Sequence, residues 1–287
     1  MTIAFLGAGL LGSAMAQRFL GAGASVRIWN RTASRVEPLR AIGAQAAASP
    51  ADAVRDMPFV HVVLRDDASV DATLDACGDA LAPGTIVLDH TTVLPAGARA
   101  RAERLAARGI GYLHAPVFMG PSAARSGGGS MYVSGPEAVW ERARAHLAPM
   151  TGKLFYLGER ADLAAVYKLV GNTMIITINA GLADAFAIAQ ASGVTPAQAL
   201  ALFDEFSPCG TIAGRGRAMA EGDYRASFEL TMARKDVQLM QDAAASGGES
   251  LHVLPAIAER MEALIAAGHG HRDFAVLAVD TIPAVTG

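Results

Sequence analysis

The chain has 287 residues, 52% of them hydrophobic, enough for two cores, because single cores rarely keep growing beyond ~250–300 residues. A formal net charge of -3 and only 6% aromatic residues exclude the basic, ring-rich surface that nucleic-acid binding needs. The two cysteines, Cys77 and Cys209, stand far apart and in no metal-ligand spacing, which argues against a disulfide scaffold and suits a reducing compartment.

Met1 runs straight into TIAFLG with no basic stretch and apolar run of secretory type, so the protein is expected in the cytoplasm. From residue 1 to about 158, short apolar runs alternate with alanine-rich helical stretches, the pattern of βα units around a mostly parallel, doubly wound sheet. The first expected strand, Ile3 to Leu6, meets the glycine loop GAGLLG (7 to 12), then a helix, then the strand Ser25 to Trp29. In this context Gly7 permits the tight turn, Gly9 lets the backbone approach a pyrophosphate, and Gly12 lets helix and strand pack closely. Ala8, Leu10 and Leu11 complete a cofactor loop whose N–H groups face the anion.

After the second strand, where an NAD enzyme usually keeps an acid for the ribose 2′-hydroxyl, the chain reads Asn30, Arg31, Thr32 and then Arg35. Arginines and a hydroxyl offer charge-assisted hydrogen bonds to a 2′-phosphate, so the expected cofactor is NADP (NADPH) and residues 1–158 form an NADP-binding Rossmann domain. The bland alternative for Arg31 and Arg35 is a pair of solvated charges. Further strands are expected at Phe59 to Leu64, Thr85 to Asp89, Tyr112 to His114, Met131 to Ser134 and Leu154 to Leu157, with one low-complexity patch, SGGGS, at 126 to 130.

Strand signals stop after Gly158, and residues 159–287 read as an all-helical domain. Its first segment, 161 to 192, lacks proline, and its only charges are Asp162, Lys168 and Asp184. It reads as one long interdomain helix, apolar on nearly every side, about 45 Å long and necessarily buried, either between the halves or against another subunit. Its longest uncharged stretch, Leu169 to Ala183, falls short of the ~20 apolar residues of a membrane span and carries Asn172, Thr173, Thr177 and Asn179, so no membrane is expected. Methionines such as Met174 read as core filling. Further helices are expected at Pro196 to Glu205, with Thr195 as N-cap, at Ser227 to Ala245 and at Leu254 to Ala267.

Lys168 and Asn172 lie four residues apart, on one face of the long helix. Lys168 is either an ammonium whose stem snorkels to the surface or a partly buried group with a lowered pKa, fit to give a proton to a developing alkoxide. The HGH at 269 to 271 has no carboxylate or cysteine in metal-binding order, so no metal is expected there, and no GxSxG elbow occurs.

With these motifs in hand, the chain resembles the β-hydroxyacid dehydrogenase family of 3-hydroxyisobutyrate dehydrogenases and glyoxylate/succinic semialdehyde reductases, from end to end. The likeness rests on LGAGLLGSAMAQRFLGAG, VLDHTTVLP (87 to 95), HAPVFMGPSAARSGGG (114 to 129), KLVGN (168 to 172), ARKDVQL (233 to 239) and GHGHRDF (268 to 274). The resemblance implies hydride transfer between NADPH and a small carbonyl or hydroxyacid, with Lys168 as proton donor and Asn172 beside it in the substrate site. It also implies that Thr92 touches the nicotinamide end of the cofactor and that Leu64 and Arg65 border the cofactor. Lys235, with Asp236 beside it, would approach the substrate's carboxylate or the cofactor.

One motif departs from the family. Where relatives carry serine and glycine before the last glycine of the substrate loop, this chain has Phe118 and Met119, and Gly120 alone survives. The change removes a hydroxyl and makes the pocket more apolar; Ser122 is a candidate replacement oxygen, and His114 stands where relatives have aspartate. A C=N bond, as in imine reductases, is therefore a rival to the carbonyl substrate, and a non-catalytic dinucleotide-binding protein is a rival of another class. A homodimer or higher homo-oligomer is expected from the burial of the long helix.

Overall fold

The computed structural model describes residues 2–281. The chain divides into two compact units, Met1–Thr173 and Met174–Gly287.

The first unit begins as βα repeats: β1 (Thr2–Leu6), α1 (Leu10–Gly21), β2 (Ser25–Trp29), α2 (Glu37–Arg40), β3 (Gln45–Ala46), α3 (Pro50–Val54), β4 (Phe59–Val62), α4 (Asp67–Cys77), β5 (Ile86–Asp89), α5 (Pro95–Ala106) and β6 (Gly111–His114). These strands form one parallel sheet in the order β3-β2-β1-β4-β5-β6, with the reversal of order between β1 and β4 that marks a Rossmann switch point. Helices cover both faces, so successive strand residues are buried alternately. Ile3 and Phe5 pack with Phe19 and Leu113, while Ala4 and Leu6 pack with Val60 and Val62. Burying a side chain such as Phe5 contributes about 1.5–3 kcal/mol, and the double coverage is why these strands read as unbroken apolar runs.

The remaining strands do not extend this sheet. β7 (Val117–Phe118), β8 (Ser130–Val133) and β9 (Lys153–Tyr156), with α6 (Pro121–Ser126) and α7 (Glu137–Leu147) between them, form a second sheet in which β7 and β8 are antiparallel and β8 and β9 parallel. Its link to the first is the paired main-chain bonding of His114 with Ser134. The two-residue strands β3 and β7 have no counterpart in the sequence reading, since two residues are too few to leave a period.

The long helix α8 (Leu163–Ala191) begins in the first unit and ends in the second, and the division between them falls within it at 173/174. The strand pattern ends near Tyr156, but Ala164 and Ala165, in the first turn of α8, are fully buried in the first unit. In the second unit follow α9 (Pro196–Glu205), α10 (Gly210–Glu221), α11 (Leu230–Ser246) and α12 (Leu254–Leu264). Thr195 closes a capping box with Gln198 at the start of α9. Leu230, Val237, Met261 and Val276 form the unit's core. The sequence reading contains no α10, whose three glycines (Gly210, Gly214 and Gly216) weaken every helical signal.

The expected burial of α8 does not hold within one chain. Val170 is 62% exposed, Ile176 68% and Met174 41%, because a 29-residue rod apolar on all sides has more surface than one protomer can cover. By length and composition α8 could cross a membrane, so the length argument against a span fails. What weighs against one is that each end is anchored within its own unit, Lys168 by Val117 O and Asp184 by the backbone at 252–254.

Candidate cofactor and substrate site

The glycine loop follows β1 at the carboxyl edge of the first sheet. Gly7 has φ +115, and a Cβ there would run into the Val63 carbonyl; a Cβ on Gly12 would run into the carbonyl of Gly7. A Cβ on Gly9 would meet nothing within 4 Å. The loop is thus pressed against β4 on its inner side and open on its outer side. No side chain caps α1, whereas Ser49 and Asp66 cap α3 and α4, and Leu10, the first residue of α1, is 83% exposed. Uncapped N–H groups beside an open glycine fit a cofactor pyrophosphate.

Asn30 follows β2 and is half-buried. Its Oδ1 accepts the Ala8 N–H at 3.0 Å and its Nδ2 donates to the Thr32 carbonyl at 2.9 Å, so it ties the glycine loop to the turn after β2. Arg31, Thr32 and Arg35 are exposed. No carboxylate pairs with Arg31 or Arg35 among the described residues. Along the same edge, the Leu64 N–H donates to Thr91 Oγ1 at 3.1 Å and Thr92 is exposed. Arg65 is 83% exposed and pairs with Asp66 at 2.8 Å.

Lys168 lies on the first turns of α8 and is half-buried. Its Nζ donates to the Val117 carbonyl at 2.7 Å and sits 4.1 Å from the centre of the Phe118 ring. Burial lowers the lysine pKa, since desolvation disfavours the charged form. Gly171, one turn on, lets the helix approach, because a Cβ there would run into the Phe118 ring, which also stands edge-on to Tyr132 at 5.6 Å. Lys168 therefore faces an aromatic wall. Asn172 is half-buried on the same face and hydrogen-bonds no other described side chain or loop. Met119 packs against Gly129, whose φ is +74, while Gly120 and Ser122 are exposed. Only the carbonyl of Ser122 is engaged, by the Ser126 hydroxyl, so nothing aims its oxygen toward Lys168. Lys235 lies on α11 in the second unit, exposed and 2.9 Å from Asp236.

Beneath these loops lies a polar layer absent from the sequence reading. Asp89 accepts the Thr91 N–H at 3.0 Å and the Tyr112 hydroxyl at 2.9 Å, with the buried Arg101 guanidinium 3.8 Å away. His114 is fully buried, and its Nε2 donates to the Thr91 carbonyl at 3.0 Å. Three more histidines form a chain: His90 Nδ1 meets the Ala115 carbonyl at 2.7 Å, His90 Nε2 meets His61 Nδ1 at 2.9 Å, and His61 Nε2 meets His146 Nε2 at 2.8 Å. A carbonyl only accepts, so the proton order is fixed when all three rings are neutral: His90 carries Nδ1–H, His61 Nδ1–H and His146 Nε2–H. Burial lowers all three pKa values, to about 4 for His90 and His146. The signal for this layer was a histidine or aspartate inside an apolar strand, as in FVHVV and VLDHTT.

Comparison with known proteins agrees with this geometry. The family described as the NAD binding domain of 6-phosphogluconate dehydrogenase matches residues 2–158, and that described as NAD-binding of NADP-dependent 3-hydroxyisobutyrate dehydrogenase matches residues 163–279. The chain is 31% identical to an NAD-dependent L-serine dehydrogenase of Pseudomonas aeruginosa, over 96% of each chain. It is 28% identical to a chloroplastic glyoxylate/succinic semialdehyde reductase 2 of Arabidopsis thaliana, over 96% of this chain and 78% of the relative. An imine reductase from Myxococcus stipitatus, solved with NADP+, superposes with a TM-score of 0.88 at 26% identity, covering 97% of this chain and 99% of the other.

Proposed function

The chain belongs to the β-hydroxyacid dehydrogenase family and is an NAD(P)-dependent oxidoreductase, and from that premise we propose that it is an NADPH-preferring reductase of a small carbonyl compound with Lys168 as proton donor. A bound nicotinamide supplies the hydride; the chain's own residues bind, orient and move the proton. The loop from Gly7 to Gly12 and the open start of α1 hold the pyrophosphate, and Arg31, Thr32 and Arg35 hold the 2′-phosphate. Leu64 and Arg65 border the cofactor, and Thr92 touches its nicotinamide end. Asn172 orients the substrate.

The observation that carries this reading is the half-buried Lys168 ammonium, held by one carbonyl and the face of one ring, with its pKa lowered by desolvation. Such a group releases a proton more readily than a solvated lysine and keeps donors free for a substrate oxygen. Lys168→Ala tests it: turnover is expected to fall by ~10²–10⁴-fold with cofactor affinity nearly unchanged. Retained turnover removes Lys168 from the chemistry.

Reduction of a C=N bond is the second reading, favoured by the apolar wall that Phe118 and Met119 present. Consumption of NADPH and NADH with a panel of aldehydes, ketoacids and cyclic imines separates the two. We also propose that a second copy of this chain covers the exposed apolar side chains of α8, giving a cytoplasmic homodimer. Sedimentation of a monomer at micromolar concentration would refute the dimer.

A further inference from the structure

The Thr92 turn and the Lys168 helix belong to different layers of the first unit, yet one continuous set of hydrogen bonds joins them. At one end, Asp89 accepts the Thr91 N–H and His114 Nε2 donates to the Thr91 carbonyl, so the residue that precedes Thr92 is held through both of its peptides. Thr91 Oγ1 also accepts the Leu64 N–H, which brings the turn after β4 into the same grip. At the other end, Ser134 holds the start of α8: its hydroxyl accepts the Ala164 N–H at 3.0 Å and donates to the Ala161 carbonyl at 3.0 Å. Between the ends, the His114 N–H donates to the Ser134 carbonyl at 3.0 Å, and the Ser134 N–H donates back to the His114 carbonyl at 2.9 Å. Lys168 follows Ala164 by four residues, one turn of the helix.

We propose that His114 and Ser134 are positioning residues that hold the Thr92 turn in register with the Lys168 ammonium. The inference rests on the roles proposed above for Thr92 and Lys168 and adds to them a cause for their spacing. Both residues are 0% exposed. A buried polar group costs stability unless it is bonded, and the bonds here run to the two backbone segments that carry Thr92 and Lys168. An error of about 1 Å between reacting groups costs on the order of 10²-fold in rate, so a rigid link between them matters more for turnover than for binding.

The test uses the full-length protein. Ser134→Ala removes the hydroxyl that holds α8, His114→Leu removes the Thr91 clamp, and His114→Gln keeps an N–H donor near the Nε2 position. Expected results are a fall in kcat of about tenfold for Ser134→Ala and for His114→Leu, with cofactor Kd from fluorescence titration changed less than threefold, and recovery of most of the loss in His114→Gln. Because both residues act through one link, the double variant loses less than the product of the single losses. Hydrogen exchange without cofactor gives a readout independent of turnover: Ser134→Ala speeds exchange at the Thr91 and Thr92 amides as well as at Ala164.

Multiplicative losses, or exchange changes confined to the mutated end, would overturn the link. Should His114→Leu not fold, Thr91→Val keeps the shape of the turn while releasing Leu64, and unchanged kinetics there would count against the link equally. Thr92→Ala and Lys168→Ala separate the layers of inference. Altered kinetics in these two with wild-type kinetics in the Ser134 and His114 variants reject the register alone, while wild-type kinetics throughout reject the reading beneath it.

Discussion

The two ends of α8 each carry one inward charge on an apolar rod, and the two charges are treated differently. Asp184 is 2% exposed and accepts the backbone N–H groups of His252, Val253 and Leu254 at 2.8 to 3.0 Å. Burial pushes its pKa up, yet these bonds outweigh burial and leave it below the usual carboxylate range. Lys168 has three donors to place and uses one, on Val117 O. Its pKa is displaced by burial alone, in the direction that weakens the charge. A charge with its bonding complete serves the fold, by starting α12; one left incomplete, beside an aromatic face, is available for chemistry.

This contrast is broken or upheld by a pair of substitutions. Lys168→Met, which keeps the length of the side chain and removes the charge, is expected to abolish nearly all turnover, a loss of ~10²–10⁴-fold, while the melting temperature stays level or rises. Asp184→Asn leaves one amide oxygen facing three N–H groups and is expected to cost about 2–3 kcal/mol of stability, with turnover per folded molecule kept. Thermal melts and steady-state kinetics on the same preparations decide the matter. A Lys168→Met variant that melts several degrees lower but turns over normally would reverse the assignment of the two charges.

The same division governs what the sequence made legible. Gly7, Gly9 and Gly12 announce themselves because their constraints are local: each acts within a few residues of a strand end, where spacing alone carries the meaning. The strand Ser25–Trp29 and the helix Pro196–Glu205 were readable to the residue for the same reason, bounded by glycine in one case and a capping box in the other. The contact that gives Lys168 its character joins residues 51 apart in the chain. Only packing reveals that the Phe118 ring occupies the space of the side chain Gly171 lacks. His61 and His146 are 85 residues apart, and their pairing depends on β4 and α7 meeting under α1. Local chemistry was written in the sequence, whereas partnership across layers was not.

A smaller effect comes from that histidine chain, which, like the Asp184 anchor, loses stability in acid, here because a buried ring must take up a charge. Its hydrogen bonds exist in full only with neutral rings, and the groups that face it are imidazoles, Asp89 beside His90, and His114. In the unfolded chain these histidines take up protons near pH 6.5, whereas His90 and His146 in the fold wait until about pH 4. The unfolded state thus binds more protons between these values, so stability is expected to be full above about pH 6.5 and to be lost as the pH falls toward 4. For His90 alone the loss is on the order of 3 kcal/mol at the acid end. Denaturant melts from pH 7.5 to 4.5 measure it, and replacing His146 with phenylalanine, which keeps the stack on Phe59, should flatten the slope. Nitrogen NMR near neutral pH should find the proton of His61 on Nδ1 and that of His146 on Nε2; the reverse order would refute the polarity of the chain.

The smallest expected effect concerns the cofactor's far end, where the groups are least buried. Asn30, in the place of an acid, accepts the Ala8 N–H, donates to the Thr32 carbonyl and carries no charge that would repel a 2′-phosphate. On the proposed reading, discrimination between NADPH and NADH falls to the exposed Arg31 and Arg35. A charge-assisted bond contributes about 1.5–3 kcal/mol when shielded, and solvent screening reduces it at this site, so Arg31→Ala is expected to raise the KM for NADPH about tenfold and that for NADH hardly at all. The preference should shrink as salt is raised in the wild type and change little with salt in the variant. An equal rise for both cofactors would mean that the guanidinium stabilises the turn after β2 and not the phosphate, and that the missing acid alone leaves the enzyme tolerant of either nucleotide.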